Sequence, residues 1–173
     1  MAISLYDVSV AGFQQTLQGV AAFLDKGAEH FKAAGGSPDQ VLDASLAPDM
    51  WPFRKQIVSA VHHSRGAIEG VKKGTFSPPT DKTEYDYAGL QKLVADARAA
   101  LKAVTREEIE ALEGKDVTFV LGDFKLPFTV ENFLMSFSIP NLHFHATTAY
   151  DILRSKGVPV GKRDYTGSMR IKK

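Results

Sequence analysis

Apolar positions recur along this chain at steps of four and three over four separate stretches, which is the period of an amphipathic helix. Phe13, Leu17, Val20, Leu24, Ala28 and Phe31 mark the first stretch, from about Ser9 to Ala34, and Gly35-Gly36 stops it. Ser37-Pro38-Asp39 reads as an N-cap with Pro in the first helical position, opening a short connecting turn through Val41 and Leu42. A second long helix runs from near Pro52 to Gly74 on the stripe Phe53, Ile57, Val61, Ser64, Ile68 and Val71. The segment Thr75 to Thr83, with Ser77-Pro78-Pro79 inside it, reads as a long loop. It leads to a third helix from about Tyr87 to Val104, with Leu90, Leu93, Val94, Ala97 and Leu101 on its buried side.

Thr105 with Glu108 three residues on is a capping-box pattern, and it opens a short helix that Gly114 closes. The period then changes. Val117 to Leu121 and Phe124 to Phe128 are β-branched or aromatic, and Gly122-Asp123 between them suits a two-residue hairpin turn, so a two-stranded ribbon is predicted. Thr129 caps a fourth long helix, with Phe133, Phe137, Asn141, Phe144, Thr148 and Ile152 at helical spacing, bent or broken at Pro140 and stopped at Gly157. The expected fold is all-α: a four-helix bundle with a small β-hairpin insertion before the last long helix, residues 1–173 forming one domain. Loop lengths do not give the handedness of the bundle.

Composition narrows the chemistry. With 44% hydrophobic residues in 173, the chain can build its own core. Lys and Arg number 21 against 20 Asp and Glu, a net charge of +1, so nucleic acid and anionic membrane are not expected partners. No cysteine is present, which removes disulfides, thiolate metal sites and a cysteine nucleophile. Nothing resembles a signal segment or a membrane span, and a cytoplasmic protein is the expectation. A Gly-rich phosphate loop, a nucleophile elbow and a His-Glu-x-x-His motif are all missing.

Five histidines remain: His30, His62, His63, His143 and His145. Residues two apart on a helix differ by about 200° around the axis, so His143 and His145 face opposite ways. His145 shares its face with Asn141, Thr148 and Ile152 and is the interior candidate, whereas His143 belongs to the surface or an interface. Taken alone, His145 is also readable as a packed side chain satisfied by a neighbouring polar group. His62 and His63 lie at the margins of the second stripe; either could line a cleft, periodicity does not choose, and His63 on its own reads as solvated. His30 suits the end of the first helix and needs no function. Phe133, Phe137 and Phe144 read as core.

Two runs of residues carry a resemblance. Asp49-Met50-Trp51-Pro52-Phe53 with Gln56, and Pro140-Asn141-Leu142-His143-Phe144-His145 continued by Ala149-Tyr150, Ile152-Leu153-Arg154, Gly157-Val158, Gly161-Lys162, Asp164-Tyr165 and Gly167, are similar to a bacterial family of unknown function within the DinB/YfiT-like superfamily. The resemblance implies an up-down-down-up bundle with a long crossover, often a homodimer, with a metal pocket near one end. Relatives hold the ion with three histidines, and the matching positions here are His62, Asn141 and His145. Asn141 thus stands where a histidine is expected, and an amide oxygen is the weaker donor for zinc or nickel. The implied cofactor is a divalent metal (Zn, Ni, Mn or Fe), and the implied activity is thiol-transferase-like, on a small-molecule or thiol substrate. The alternative is a non-catalytic bundle, a binding or dimerisation module without a metal. Lys162, Arg163 and Asp164 either fold back near the pocket mouth or form a tail clamped by Gly161 and Gly167.

Overall fold

A computed structural model describes residues 3–79 and 83–172. A short helix, α1 (Leu5–Val8), precedes the first long one, α2 (Val10–Ala33). A 3-10 turn (Pro38–Val41), capped by the Ser37 hydroxyl, leads to α3 (Phe53–Val61). The second long segment continues through a π-turn (His62–Gly66) into α4 (Ala67–Lys73), which ends on Gly74 in the left-handed region at φ 73°. Next come β1 (Thr75–Phe76), α5 (Tyr87–Lys102), α6 (Arg106–Glu110), β2 (Asp116–Leu121) and β3 (Phe124–Thr129). The fourth long segment is α7 (Val130–Asn132), a second π-turn (Phe133–Ser138) and α8 (Ile139–Ser155), followed by α9 (Lys162–Thr166).

The stripes read from the sequence are the core. Phe13, Leu17, Val20, Leu24, Phe31, Phe53, Ile57, Val61, Leu90, Val94, Leu101, Phe133 and Ile152 are all buried, each contributing roughly 1.5–3 kcal/mol of transfer free energy. α2 packs on α5 and α8, and α3 packs on the same two helices. The predicted caps form as well: Thr105 and Glu108 make a reciprocal capping box, and the Thr129 hydroxyl accepts from the Asn132 amide.

Three expectations change. The Thr75–Thr83 loop begins with a strand: β1 pairs parallel with β2 (Thr75 with Thr118, Phe76 with Phe119), so the ribbon is a three-stranded sheet in the order β1-β2-β3. Burial of Phe76 in the core holds that edge in place; residues 80–82 of the same loop lie outside the described residues. Pro140 does not break the fourth segment, whose backbone stays helical on both sides of it; the π-turn that ends at Ser138 accommodates its ring and missing N–H.

The Gly-rich end forms a strap. α9 lies along α2, with a Lys26–Asp164 ion pair at 2.7 Å and the Gln15 side-chain amide donating to the Thr166 carbonyl at 2.9 Å. A methyl group on Gly19 would overlap the Tyr165 carbonyl oxygen, so only glycine allows this approach. Of the two sequence readings of this tail, the clamp is the one formed. Among the described residues no helix is long and apolar enough to cross a membrane.

Candidate functional site

The two π-turns lie in the two helical segments that face each other across a cleft of about 440 Å³. Such turns widen a helix by one residue and recur at functional sites. Here the first turn carries His62 and His63. Phe76, Phe119, Phe137 and Phe144 supply apolar walls, and the polar lining comes from Gln56, Ser59, Asn141, the three histidines and Asp49.

His145 is buried, 7% exposed, and its Nδ1 lies 2.7 Å from Gln56 Oε1. The Gln56 amide nitrogen in turn donates to the Trp51 carbonyl at 2.9 Å, which fixes which end of the amide is oxygen. His145 therefore carries its proton on Nδ1, leaving Nε2 as a bare acceptor. Its ring lies parallel to that of Trp51 (5.7 Å between centroids, 8°) and nearly parallel to that of His63 (5.8 Å, 16°). Burial pushes the His145 imidazolium well out of range, to a pKa of about 4.

His63 is the imidazole set against His145. The solvated reading of His63 does not hold, because the ring is 9% exposed and packs between Phe76, Phe137 and His145. Burial, with the neighbouring imidazoles His62 and His145 acting in the same direction, lowers its pKa to about 3. Its Nδ1 is buried with no hydrogen-bond partner. A proton there would be a buried donor with nothing to donate to, so Nδ1 presents a lone pair.

His62 is turned differently. Its Nε2 lies 2.8 Å from the Ser77 carbonyl and so carries the proton, while a methyl on Gly66 would stand 2.9 Å from its Nδ1. The nitrogen left as acceptor on His62 is Nδ1, and it lies beside Gly66 of its own helix. Asn141 donates its amide nitrogen to the Phe137 carbonyl at 2.7 Å, one turn back at the end of the π-turn, so its oxygen is the end left for the cleft. His143 is exposed and bonds the Tyr165 hydroxyl at 3.1 Å, as suits a surface position. Phe144, read as core, is 56% exposed at the cleft mouth, about 100° around the helix from His145.

Among the described residues no three His, Cys, Asp or Glu side chains converge as a ligand set. The donors that do suit a divalent ion are His145 Nε2, the orphaned His63 Nδ1 and the Asn141 oxygen. They fit such an ion as two imidazoles and an amide, a weaker set than three imidazoles.

Residues 5–166 match the family described as "Domain of unknown function (DUF1993)". The chain belongs to this family. In structure the DUF1993 chain is similar to the crystal structure of a DinB family member protein from Shewanella denitrificans, with a TM-score of 0.81 and 28% identity over 98% of this chain and 95% of that one. The DinB-like fold read from the sequence is thereby shown: a mostly helical protein with a small sheet. No protein of curated function matches the chain.

Sequence reasoning gave Gln56 and Trp51 no role beyond their place in the resembling run. A signal for the first existed. Gln56, Ser59 and His63 follow one another at steps of three and four, a polar stripe beside the apolar one, and that stripe selects His63 over His62 for the cleft.

Proposed function

We propose that the cleft is the divalent-metal site of a thiol-transferase-like enzyme, on a bundle of up-down-down-up order that functions as a dimer. In this reading the ligands are His145, the Asn141 oxygen and one imidazole of the His62–His63 pair, with His63 preferred on orientation. The Gln56–His145 hydrogen bond carries the reading: a neutral imidazole whose second nitrogen is held by an amide or carboxylate oxygen is the arrangement that orients histidine ligands. The orphaned lone pair on His63 supports it.

Zn, Ni, Mn or Fe at these donors would supply Lewis-acid activation of a water or small thiol. The protein's own contribution is positional. Gln56 holds the His145 tautomer, burial keeps both imidazoles unprotonated at neutral pH, and Trp51 lies over His145 and limits water.

The rival reading is a bundle that binds or dimerises without an ion. It is favoured by the Asn141 amide, which is already committed to patching the backbone beside the π-turn. Metal analysis of untagged protein, after growth with each metal in turn, decides between them. Stoichiometric metal that is lost in His145→Gln supports the enzyme; no stoichiometric metal under any supplement removes it.

A further inference from the structure

We propose that a second groove, which shares no residue with the histidine cleft, binds the phosphate group of a small hydroxylated molecule through Arg98, Lys102 and Arg170. It stands independently of any ion in the cleft.

The groove, of about 510 Å³, runs between α2 and α5. Gln14 and Gln18 of α2 face Arg98 and Lys102 of α5, each pair four residues apart and so on one side of its helix. The Gln14 side-chain amide donates to the Leu101 carbonyl at 3.0 Å, which joins the N-terminal part of α2 to the C-terminal end of α5. The two helix dipoles meet there with opposite sign, so the field of the groove is that of its side-chain charges.

Those charges are all positive. Lys26, Arg54, Arg65, Lys72, Lys92 and Arg106 each pair with a carboxylate. Among the described residues Arg98 and Lys102 make no ion pair or hydrogen bond, and no Asp or Glu lines the groove. Asp96, two residues from Arg98, is held by Lys92 at 2.7 Å. Arg170 meets Asp7 only at the main-chain carbonyl, 3.5 Å from both terminal nitrogens, and the Asp7 carboxylate belongs to Arg106. In a chain of net charge +1 this concentration is local. Two guanidinium forks and an ammonium with no carboxylate among them match a phosphate dianion, which accepts bidentate bonds from arginine and relieves the repulsion between like charges.

Arg170 is brought to the groove by a built connection. Gln15 donates to the Thr166 carbonyl at 2.9 Å, and Gln18 takes both ends of Ser168, donating to its hydroxyl at 3.0 Å and accepting from its amide at 3.2 Å. The chain beyond α9 is thereby fastened two residues short of the guanidinium.

Room and acceptors define the rest of the ligand. Ala11, Ala95 and Ala99 keep the space between the long side chains open, at a volume usual for a small-molecule site. Gln14 and Gln15 spend their nitrogens on main-chain carbonyls, and each keeps an oxygen that suits a hydroxyl donor.

The test uses the full-length chain dialysed free of metal, in phosphate-free buffer at low salt, with ribose 5-phosphate, ribose and inorganic phosphate as calorimetric probes. Ribose 5-phosphate should bind saturably, one per chain, inorganic phosphate more weakly and ribose not at all. Arg98→Gln and Arg170→Gln should each weaken the ester at least about tenfold. Lys125→Gln, which removes one charge from the exposed β3 and not from the groove, should change it less than about twofold. Thermal melts confirm that the variants fold. Equal weakening in Lys125→Gln, inorganic phosphate binding as tightly as the ester, or no saturable binding overturns the proposal. So does tight binding of a short DNA strand or of anionic vesicles without binding of the ester. Metal uptake by the same preparation reads the cleft separately, so either site can fail while the other stands.

Discussion

His145 and Gln56 are joined across α8 and α3 by a 2.7 Å hydrogen bond in which the imidazole is the donor. Gln56 is itself tied to the Trp51 carbonyl, so a single amide fixes both the ring tautomer and the chain leading into α3. In Gln56→Leu, the imidazole N–H and the carbonyl both lose their partner. A loss of about 2–3 kcal/mol in urea unfolding is expected. Long-range ¹H–¹⁵N spectra should show the Nδ1–H tautomer of His145 giving way to a mixture. A variant that keeps the single tautomer would show that Gln56 does not set it.

Buried neutral imidazoles make stability depend on pH. In the unfolded chain His63 and His145 titrate near the ordinary value of 6.5, whereas in the folded protein burial holds them at about 3 and about 4. Between those values the unfolded state binds protons that the native state refuses, so stability is full above the unfolded pKa and falls as pH drops toward the folded ones. The slope is about 1.4 kcal/mol per pH unit for each ring. Urea unfolding at pH 7, 6 and 5 should record a growing loss, smaller in His63→Phe because one of the imidazoles held below 6.5 is gone. Equal stability at all three would contradict the burial of both rings in neutral form.

Two glycines of α2 make an internal comparison. Gly19→Ala places a methyl group against the Tyr165 carbonyl, while a methyl on Gly12 meets nothing within 4 Å. The first should lower stability by about 1–3 kcal/mol and expose α9 to proteolysis. The second should raise it by up to about 1 kcal/mol through helix propensity. Thermal melts of both variants, with limited proteolysis of the strap, provide the check.

Trp51 is the sole tryptophan, and its ring centroid is 5.7 Å from that of His145. A paramagnetic ion such as Ni²⁺ on His145 should therefore quench its emission saturably. His145→Gln and His63→Gln should abolish the quench, and His62→Gln should leave it, because the one free nitrogen of His62, Nδ1, lies beside Gly66 of its own helix. Quenching lost in His62→Gln and kept in His63→Gln would reverse the ligand assignment.

Helix stripes, caps and stops were legible because each follows from residues within one or two turns of each other. Phe13 through Phe31 and Phe53 through Val71 all reached the core, and Thr105, Glu108 and Thr129 all capped. What pattern could not supply was contact between distant segments. β1 exists only because Phe76 finds the core and β2, and the strap only because Gly19 lets Tyr165 approach. The orientation of His62 and His63 was hidden for the same reason. Both lie at the margins of the apolar stripe, and what separates them is contact with distant residues: Phe76 and Phe137 around His63, the Ser77 carbonyl on His62.

The two π-turns also bear on how the cleft could be gained or lost in descent. A π-turn holds one residue more than the α-turn it replaces, so deleting a single codon within His62–Gly66 or Phe133–Ser138 would restore regular helix. Every side chain on one side of the deletion would then swing by about 100° relative to the other. One such indel would uncouple the imidazoles and at the same time turn the apolar stripe of one half-helix, Ile68 and Val71 or Phe53 and Ile57, out of the core, so the extra residue in each turn is tied to the packing as well as to the cleft.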